Sequence, residues 1–132
     1  MLFNGEVLVA GLGSIGERHV RNLQALGQTN VTVLRRAERP ARTLEAGSFR
    51  TVTSADEAFA RTPSAVIIAT PSATHVPLLT QAIDAGIPAM VEVPAATSID
   101  SLGDAAARAH ANDVPVLVAH NLRFHPCLQQ VH

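Results

Sequence analysis

The sequence "VLVAGLGSIGERHV", residues 7–20, contains the strongest indication of how this chain folds. It begins with a short, valine-rich apolar run, which predicts a strand buried on both faces. Gly11, Gly13 and Gly16 follow in the spacing G-x-G-x-x-G, and apolar residues then recur at helical spacing as far as a glycine stop. A strand, a glycine loop and a helix in this order predict a dinucleotide-binding unit.

Each glycine of such a loop has a steric task. Gly11 would permit the tight turn, Gly13 would let the backbone approach a pyrophosphate, and Gly16 would let the helix pack closely on the strand. The phosphates would lie on the N–H groups near Ser14 and Ile15, at the N-terminus of the helix. A generic strand-to-helix turn is the alternative interpretation of the same pattern.

A basic pair, Arg35-Arg36, follows the second predicted strand at residues 31–34. An NAD site usually carries an acidic residue here, which binds the ribose 2′-hydroxyl. Two guanidinium groups can instead bind a 2′-phosphate, so the sequence favours NADP and leaves NAD as the alternative. Glu38 lies close enough along the chain to reach a ribose, and a solvated basic turn is the structural interpretation of the pair.

Strand and helix patterns alternate along the rest of the chain. They predict strands at 49–53, 65–69, 89–93 and 114–119, and helices at 40–46, 54–61, 75–85, 98–111 and from Pro126. Strands separated by helices of this length pair in parallel through right-handed crossovers. We therefore predict an α/β fold, a single-domain, doubly wound, Rossmann-like parallel sheet. Its ligands would bind at the carboxyl ends of the strands, where Glu92 lies.

Composition excludes several classes of function. The formal net charge of -1 and the absence of Trp and Tyr argue against a nucleic-acid partner. The apolar runs are too short to span a bilayer, and the N-terminal residues lack a signal-peptide pattern, so we expect no membrane association and a cytoplasmic location. Metal binding is not expected, because no common zinc spacing relates the C-terminal residues His120, His125, Cys127 and His132.

Three stretches together, "GLGSIGERHVRNL", "ATPSATHVPLLTQAIDAGIPAMVEVPAATS" and "AHNLRFHP", resemble the N-terminal domain of the Gfo/Idh/MocA oxidoreductase family. The resemblance covers nearly the whole chain. It implies a domain that holds NAD or NADP, beside a second α/β domain that holds a sugar or related substrate. For the cofactor site it implies pyrophosphate contacts from the glycine loop, contacts beside the nicotinamide half, and one against the nicotinamide ribose. The implied pyrophosphate contacts are Gly11, Gly13, Ser14, Ile15 and Gly16. The implied contacts beside the nicotinamide half are Thr70, Pro71 and His75, and the implied contact with the nicotinamide ribose is Glu92.

The chain departs from the family's pattern at Val93, where the resemblance implies a lysine that orients substrate and moves a proton. Valine has no titratable group, and general acid–base catalysis contributes about 10²–10⁴-fold in rate, so we assign no catalytic residue. His19, one turn past the glycines, is expected to pack within the fold or to meet another domain.

From the resemblance we expect that the chain, whose last residue is His132, ends before any substrate domain. We expect residues 1–120 to form the dinucleotide-binding domain and residues 121–132 to begin the connection to a substrate domain that is missing here. The chain would then be a homo-oligomer or a truncated part of a two-domain protein. The alternative function is a non-catalytic nucleotide-binding or interaction module.

Overall fold

The structure, a computed structural model, describes residues 4–36, 41–45 and 47–130. Strands and helices alternate along the chain, as the sequence predicts, except between the second and third strands, where the described residues contain no helix. The strands are Val7–Ala10 (β1), Val31–Leu34 (β2), Arg50–Val52 (β3), Ala65–Ile68 (β4), Ala89–Val91 (β5) and Val116–Val118 (β6). The helices are Ser14–Ala25 (α1), Ala55–Ala60 (α2), His75–Asp84 (α3), Ile99–Ala111 (α4) and Pro126–Gln129 (α5), with short 3₁₀ turns at Ser72–Thr74 and Asn121–Phe124.

The six strands form one parallel sheet in the order β3-β2-β1-β4-β5-β6. In the centre, Val7 of β1 pairs with Val31 of β2 on one side and with Ala65 of β4 on the other. The chain moves outward from β1 to β3 and then returns to β4, so the connections reverse direction between β1 and β4. This reversal is the topological switch point at which doubly wound sheets bind ligands.

Helices cover both faces of the sheet, because successive residues of a strand point to opposite sides. Val7 and Val9 of β1 pack with α1 on one face. Leu8 and Ala10 pack on the other face with buried side chains of α2, α3 and α4. All four β1 residues have no exposed surface. The prediction of a single α/β domain with a doubly wound parallel sheet is confirmed.

Residues 42–44 form bends, and residues 41–45 contain no part of the irregular helix predicted over residues 40–46. Pro40 and Ala46 themselves lie outside the described residues. The N–H groups of Arg42 and Thr43 turn toward the carboxylate of Glu17 on α1, at N···O distances of 2.7 and 3.1 Å. A side chain from another element therefore sets the course of this segment, and the local sequence does not reveal it.

Four strands are shorter than the ranges predicted for them, namely β3, β4, β5 and β6. β6 begins at Val116 rather than at residue 114, because the N–H of Val114 bonds to the carbonyl of Ala109 at the end of α4. β5 ends at Val91, although the apolar pattern continues to Val93, whose exposure is 46%. The peptide bond between Val93 and Pro94 is cis.

Candidate functional site

The glycine loop begins where β1 ends, at the switch point of the sheet. Gly11 has φ +100°, and a Cβ atom there would lie 2.6 Å from the carbonyl oxygen of Ala69, which follows β4. A Cβ atom on Gly16 would overlap the carbonyl oxygen of Gly11. Both contacts are with backbone, so neither position has room for a side chain. These two glycines make the turn and bring α1 against the end of β1.

The N-terminus of α1 carries N–H groups with no partner inside the helix. Gly13 is the N-cap residue, no side chain caps the helix, and the first intrahelical bond runs from the N–H of Glu17 to the carbonyl of Gly13. The N–H groups of Ser14, Ile15 and Gly16 precede that bond. With the helix dipole they form a site suited to an anion such as a pyrophosphate.

The basic pair lies at the carboxyl end of β2, beside the glycine loop. Leu34 of β2 pairs with Ala10 of β1, so Arg35 and Arg36 follow at the same edge of the sheet as Gly11. The N–H of Arg35 bonds to the carbonyl of Val52 at 3.0 Å, which ties this residue to β3. The side chain of Arg36 is exposed. Glu38 lies outside the described residues.

The loop after β4 contains Thr70 and Pro71 and is tied down by His75, the first residue of α3. His75 is 2% exposed. Its Nε2 lies 2.6 Å from the carbonyl oxygen of Thr70, and its Nδ1 lies 3.0 Å from that of Pro94. His75 therefore joins the loop after β4 to the loop after β5. Its assignment beside the nicotinamide stays a prediction, and any effect on a cofactor would pass through these two loops.

Glu92 follows β5 at the same edge. Its N–H extends the sheet by bonding to the carbonyl of Ile68 at 3.0 Å. Its side chain is 22% exposed, and its Oε1 lies 2.6 Å from Nε2 of His19 on α1. Val93 follows with its aliphatic side chain in solvent. The opening at this edge therefore contains a carboxylate paired with an imidazole, where the resemblance implies a carboxylate and a lysine.

His19 is a site residue that the sequence interpretation missed. Its helical position, one turn beyond Gly16, places it on the half of α1 that is nearest to the carboxyl edge. That position is visible in the sequence, but its partner lies 73 residues away. Only the order of the strands brings the two residues together.

A cleft of about 390 Å³ opens beside this pair. The first turns of α1, the end of β5 and the segment after β6 form its walls. The polar and charged side chains that line it are Arg18, His19, Asn22, Glu92, His120, Asn121 and Arg123.

Near the C-terminus, the described residues His120, His125 and Cys127 are not grouped with one another or with further side chains as a set of three possible metal ligands, and His132 lies outside the described residues. Cys127 is exposed, and its N–H bonds to Nδ1 of His125, which caps the short helix α5. Within residues 4–36, 41–45 and 47–130, no three His, Cys, Asp or Glu side chains are grouped closely enough to hold a metal ion. The helices in this part of the chain are also too short or too polar to cross a membrane.

Two known dehydrogenases are similar in sequence to this chain. The chain is 31% identical over 96% of its length to 4-carboxy-2-hydroxymuconate-6-semialdehyde dehydrogenase of Sphingobium sp. (strain NBRC 103272 / SYK-6). It is 27% identical over 92% of its length to UDP-N-acetylglucosamine 3-dehydrogenase of Acidithiobacillus ferrooxidans. It covers 41% and 38% of these proteins, so the chain spans about two fifths of the length of the curated relatives it matches.

Solved structures give the same result. The crystal structure of GenD2 from gentamicin A biosynthesis in complex with NAD superimposes with a TM-score of 0.80 at 35% identity. The match covers 92% of this chain and 36% of that one. The Gfo/Idh/MocA family, described as an oxidoreductase family with an NAD-binding Rossmann fold, matches residues 6–120. The chain belongs to the Gfo/Idh/MocA oxidoreductase family and forms its NAD-binding Rossmann domain.

Proposed function

We propose that this domain binds NADP in preference to NAD and serves an oxidoreductase that acts on a sugar or related CH–OH substrate. The observation that carries the proposal is the basic pair Arg35-Arg36, which lies beside the uncapped N-terminus of α1 at one edge of the sheet. A pyrophosphate bound at α1 would direct the adenosine half of the cofactor toward the end of β2. A guanidinium group there can donate hydrogen bonds to the 2′-phosphate of NADP, which NAD lacks.

In this proposal the chain's residues hold the two halves of the cofactor apart along the edge. The N–H groups of Ser14, Ile15 and Gly16 bind the pyrophosphate. Thr70, Pro71 and Glu92 lie toward the nicotinamide half, and His75 fixes the loops that carry them. When bound, the nicotinamide supplies the chemistry of hydride transfer. The chain's own contribution is binding and orientation.

The proposed substrate of the oxidoreductase is a sugar or related CH–OH compound. The names of the two dehydrogenases that resemble this chain in sequence give a semialdehyde and a nucleotide sugar as substrates. Two chemically different substrates on one type of domain support the view that this domain serves the cofactor. Residues 1–120 would hold the cofactor, and residues 121–132 would lead toward a substrate-binding domain. This domain alone would be a poor enzyme, since little in it could hold a substrate in reactive geometry.

Calorimetric titration of the chain with NADP and, separately, with NAD tests the cofactor preference. We expect tighter binding of NADP, and we expect Arg36→Ala to weaken NADP binding while it leaves NAD binding nearly unchanged. A hydrogen bond to a charged group contributes about 1.5–3 kcal/mol, which corresponds to about 10- to 100-fold in Kd. The loss should shrink as salt is added, because the Arg36 side chain is exposed.

Arg108→Ala is the matched control for Arg36→Ala. It removes the same charge from an exposed ion pair with Asp84, which lies near the ends of α4 and α3. That variant should bind both dinucleotides like the wild type. Tighter binding of NAD than of NADP by the wild type would contradict the proposal. An equal loss of both cofactors in Arg36→Ala would do the same.

Dinucleotide binding without hydride transfer is a second candidate function, and the observation that favours it is Val93. Its exposed aliphatic side chain stands where the family's pattern has a proton-carrying lysine. Val93→Lys in the full-length protein distinguishes the two candidates. A gain of about 100-fold or more in turnover would support an oxidoreductase with reduced activity. No gain, with cofactor binding intact, would support a binding module.

A further inference from the structure

The contact between His19 and Glu92 links two elements that are not neighbours. α1 follows β1, Glu92 follows β5, and β4 lies between these strands in the sheet. Nε2 of His19 nevertheless comes within 2.6 Å of Oε1 of Glu92. The link runs from the helix that begins at the glycine loop to the end of β5, along the edge of the sheet where a dinucleotide would lie.

The chemistry of the pair fixes the direction of the hydrogen bond. An ionised carboxylate only accepts, so the imidazole donates from Nε2. The two side chains are 17% and 22% exposed, so the pair is partly shielded from water. In the described part of the chain, His19 is the group that bonds to this carboxylate, and it engages Oε1. Among the described residues no group donates to Oε2, which can accept a hydrogen bond from a second donor.

The same cleft contains other charged and titratable groups. Arg18 of α1 and His120 and Arg123 of the segment after β6 line it together with the pair. None of these three has a hydrogen bond to Glu92 in the described part of the chain. The position of the carboxylate therefore depends on the His19 contact rather than on a network of cations.

We infer that His19 is a positioning residue for the nicotinamide half of the cofactor. By binding Oε1 it holds the Glu92 carboxylate in one orientation, and Oε2 then accepts a hydrogen bond from a hydroxyl of the nicotinamide ribose. A carboxylate that is already ordered does not lose rotamer freedom when the ligand arrives, and this preorganisation strengthens binding. The inference rests on the proposed function, because it assumes that a nicotinamide dinucleotide occupies this edge.

Two ligands separate positioning from a merely structural role. NADP contains both halves of the cofactor, whereas 2′,5′-ADP contains the adenosine half and lacks the nicotinamide ribose. We expect His19→Leu to weaken NADP binding about tenfold and to leave the Kd for 2′,5′-ADP unchanged, as measured by calorimetry. His19→Gln, which retains a side-chain N–H donor of similar reach, should recover most of the lost affinity. His19→Leu should cause little further loss in a Glu92→Ala background, because the two residues act through one contact.

His110→Leu is the matched control, since it makes the same replacement at an exposed position on α4. It should bind both ligands like the wild type. If His19→Leu does not fold, His19→Gln and Glu92→Ala still test the inference through the ratio of the two dissociation constants. Unchanged NADP affinity in His19→Leu, or equal weakening of both ligands, would overturn the inference alone. Failure of the wild type to bind any dinucleotide would overturn the proposed function and the inference together.

Discussion

Two glycines of the loop differ in the space around them, although the sequence motif treats them alike. Gly16 faces the backbone of Gly11, and a side chain there would require the turn itself to move. Gly13 has no heavy atom within 4 Å of the position a Cβ would take, and its φ of -79° suits any residue. The protein alone therefore does not require glycine at position 13. The empty space lies at the N-terminus of α1, where a pyrophosphate would approach.

Gly13→Ala should fold normally and lose affinity for the dinucleotide, because the added methyl group would occupy space that the ligand needs. Gly16→Ala should instead lower the free energy of unfolding by about 1–3 kcal/mol or more, as overpacking against rigid backbone does. Urea denaturation and calorimetric titration measure the two effects separately. Gly103→Ala, in α4 with open space around it, is the control and should be neutral or stabilising. Unchanged cofactor affinity in Gly13→Ala would contradict the assignment of the loop to the pyrophosphate.

The sequence predicts those features of single residues that depend on a few consecutive positions. The glycine loop is local, and the structure contains it. The start of the helix predicted over residues 54–61 is also local, since the Ser54 hydroxyl accepts from the N–H of Glu57 three residues later. The contacts of His19 and His75 depend on partners in other loops, so a spacing pattern cannot reveal them. The assignments of Thr70, Pro71 and Glu92 to the cofactor come from the family resemblance rather than from local chemistry.

The element that organises the site is α1, which carries two anchoring side chains on opposite sides. Residues 17 and 19 are separated by about 200° around a helix. Glu17 bonds to the segment after β2, and His19 bonds to the end of β5. The helix N-terminus is thus fixed between the two segments that would contact the two halves of a dinucleotide. Local periodicity predicts the helix but not these anchors.

The anchor at Glu17 is a buried carboxylate with three donors from one short segment. The N–H of Arg42, the hydroxyl of Thr43 and the N–H of Thr43 bond to it. These hydrogen bonds, that from Arg42 foremost, hold the pKa of the Glu17 carboxyl below its ordinary value. The bonds therefore favour the ionised form in the folded chain.

Glu17→Gln should lower the free energy of unfolding at neutral pH by about 1–3 kcal/mol, because the amide has one acceptor oxygen where the carboxylate has two. Urea denaturation at pH 7 measures the change. Glu45→Gln removes the same charge from an exposed side chain of the neighbouring segment and should have little effect. Equal stability of wild type and Glu17→Gln would show that the carboxylate does not hold this segment.

The candidate cofactor-binding residues and a structural ion pair lie at opposite edges of the sheet. The glycine loop, the basic pair and Glu92 all follow strands at the carboxyl edge. The amino edge contains the ion pair of Glu6 and Arg61, in which the guanidinium donates both Nε and Nη2 bonds to the carboxylate. Glu6 and Gly11 are five residue steps apart along an extended chain, which corresponds to about 16 Å. Alternating strands and helices predict this division, since all strands of a parallel sheet point the same way. The ion pair itself joins two residues that are 55 positions apart, so the sequence pattern does not predict it.

The ion pair of Glu6 and Arg61 should contribute to the stability of the fold but not to cofactor affinity. Burial raises the pKa of the Glu6 carboxyl, but the bonds from Arg61 outweigh burial, so the pKa lies below its ordinary value of 4.5. A lowered pKa stabilises the folded state above pH 4.5, and this contribution is lost as the pH falls through the folded-state pKa. Arg61→Ala leaves the buried carboxylate without its partner, so the unfolding midpoint should fall by several degrees at pH 7.

The same variant should differ less from the wild type at pH 3.5 than at pH 7, because below pH 4.5 the unfolded chain takes up a proton at Glu6 and the ion pair then contributes less to stability. Thermal unfolding at the two pH values measures this difference, and calorimetry at pH 7 should give the wild-type Kd for the dinucleotide. Arg108→Ala, which removes an exposed ion pair, should cost about 0–1 kcal/mol. A marked loss of cofactor affinity in folded Arg61→Ala would mean that the two edges are coupled through the short strands. The prediction that this ion pair affects stability but not cofactor binding would then be wrong.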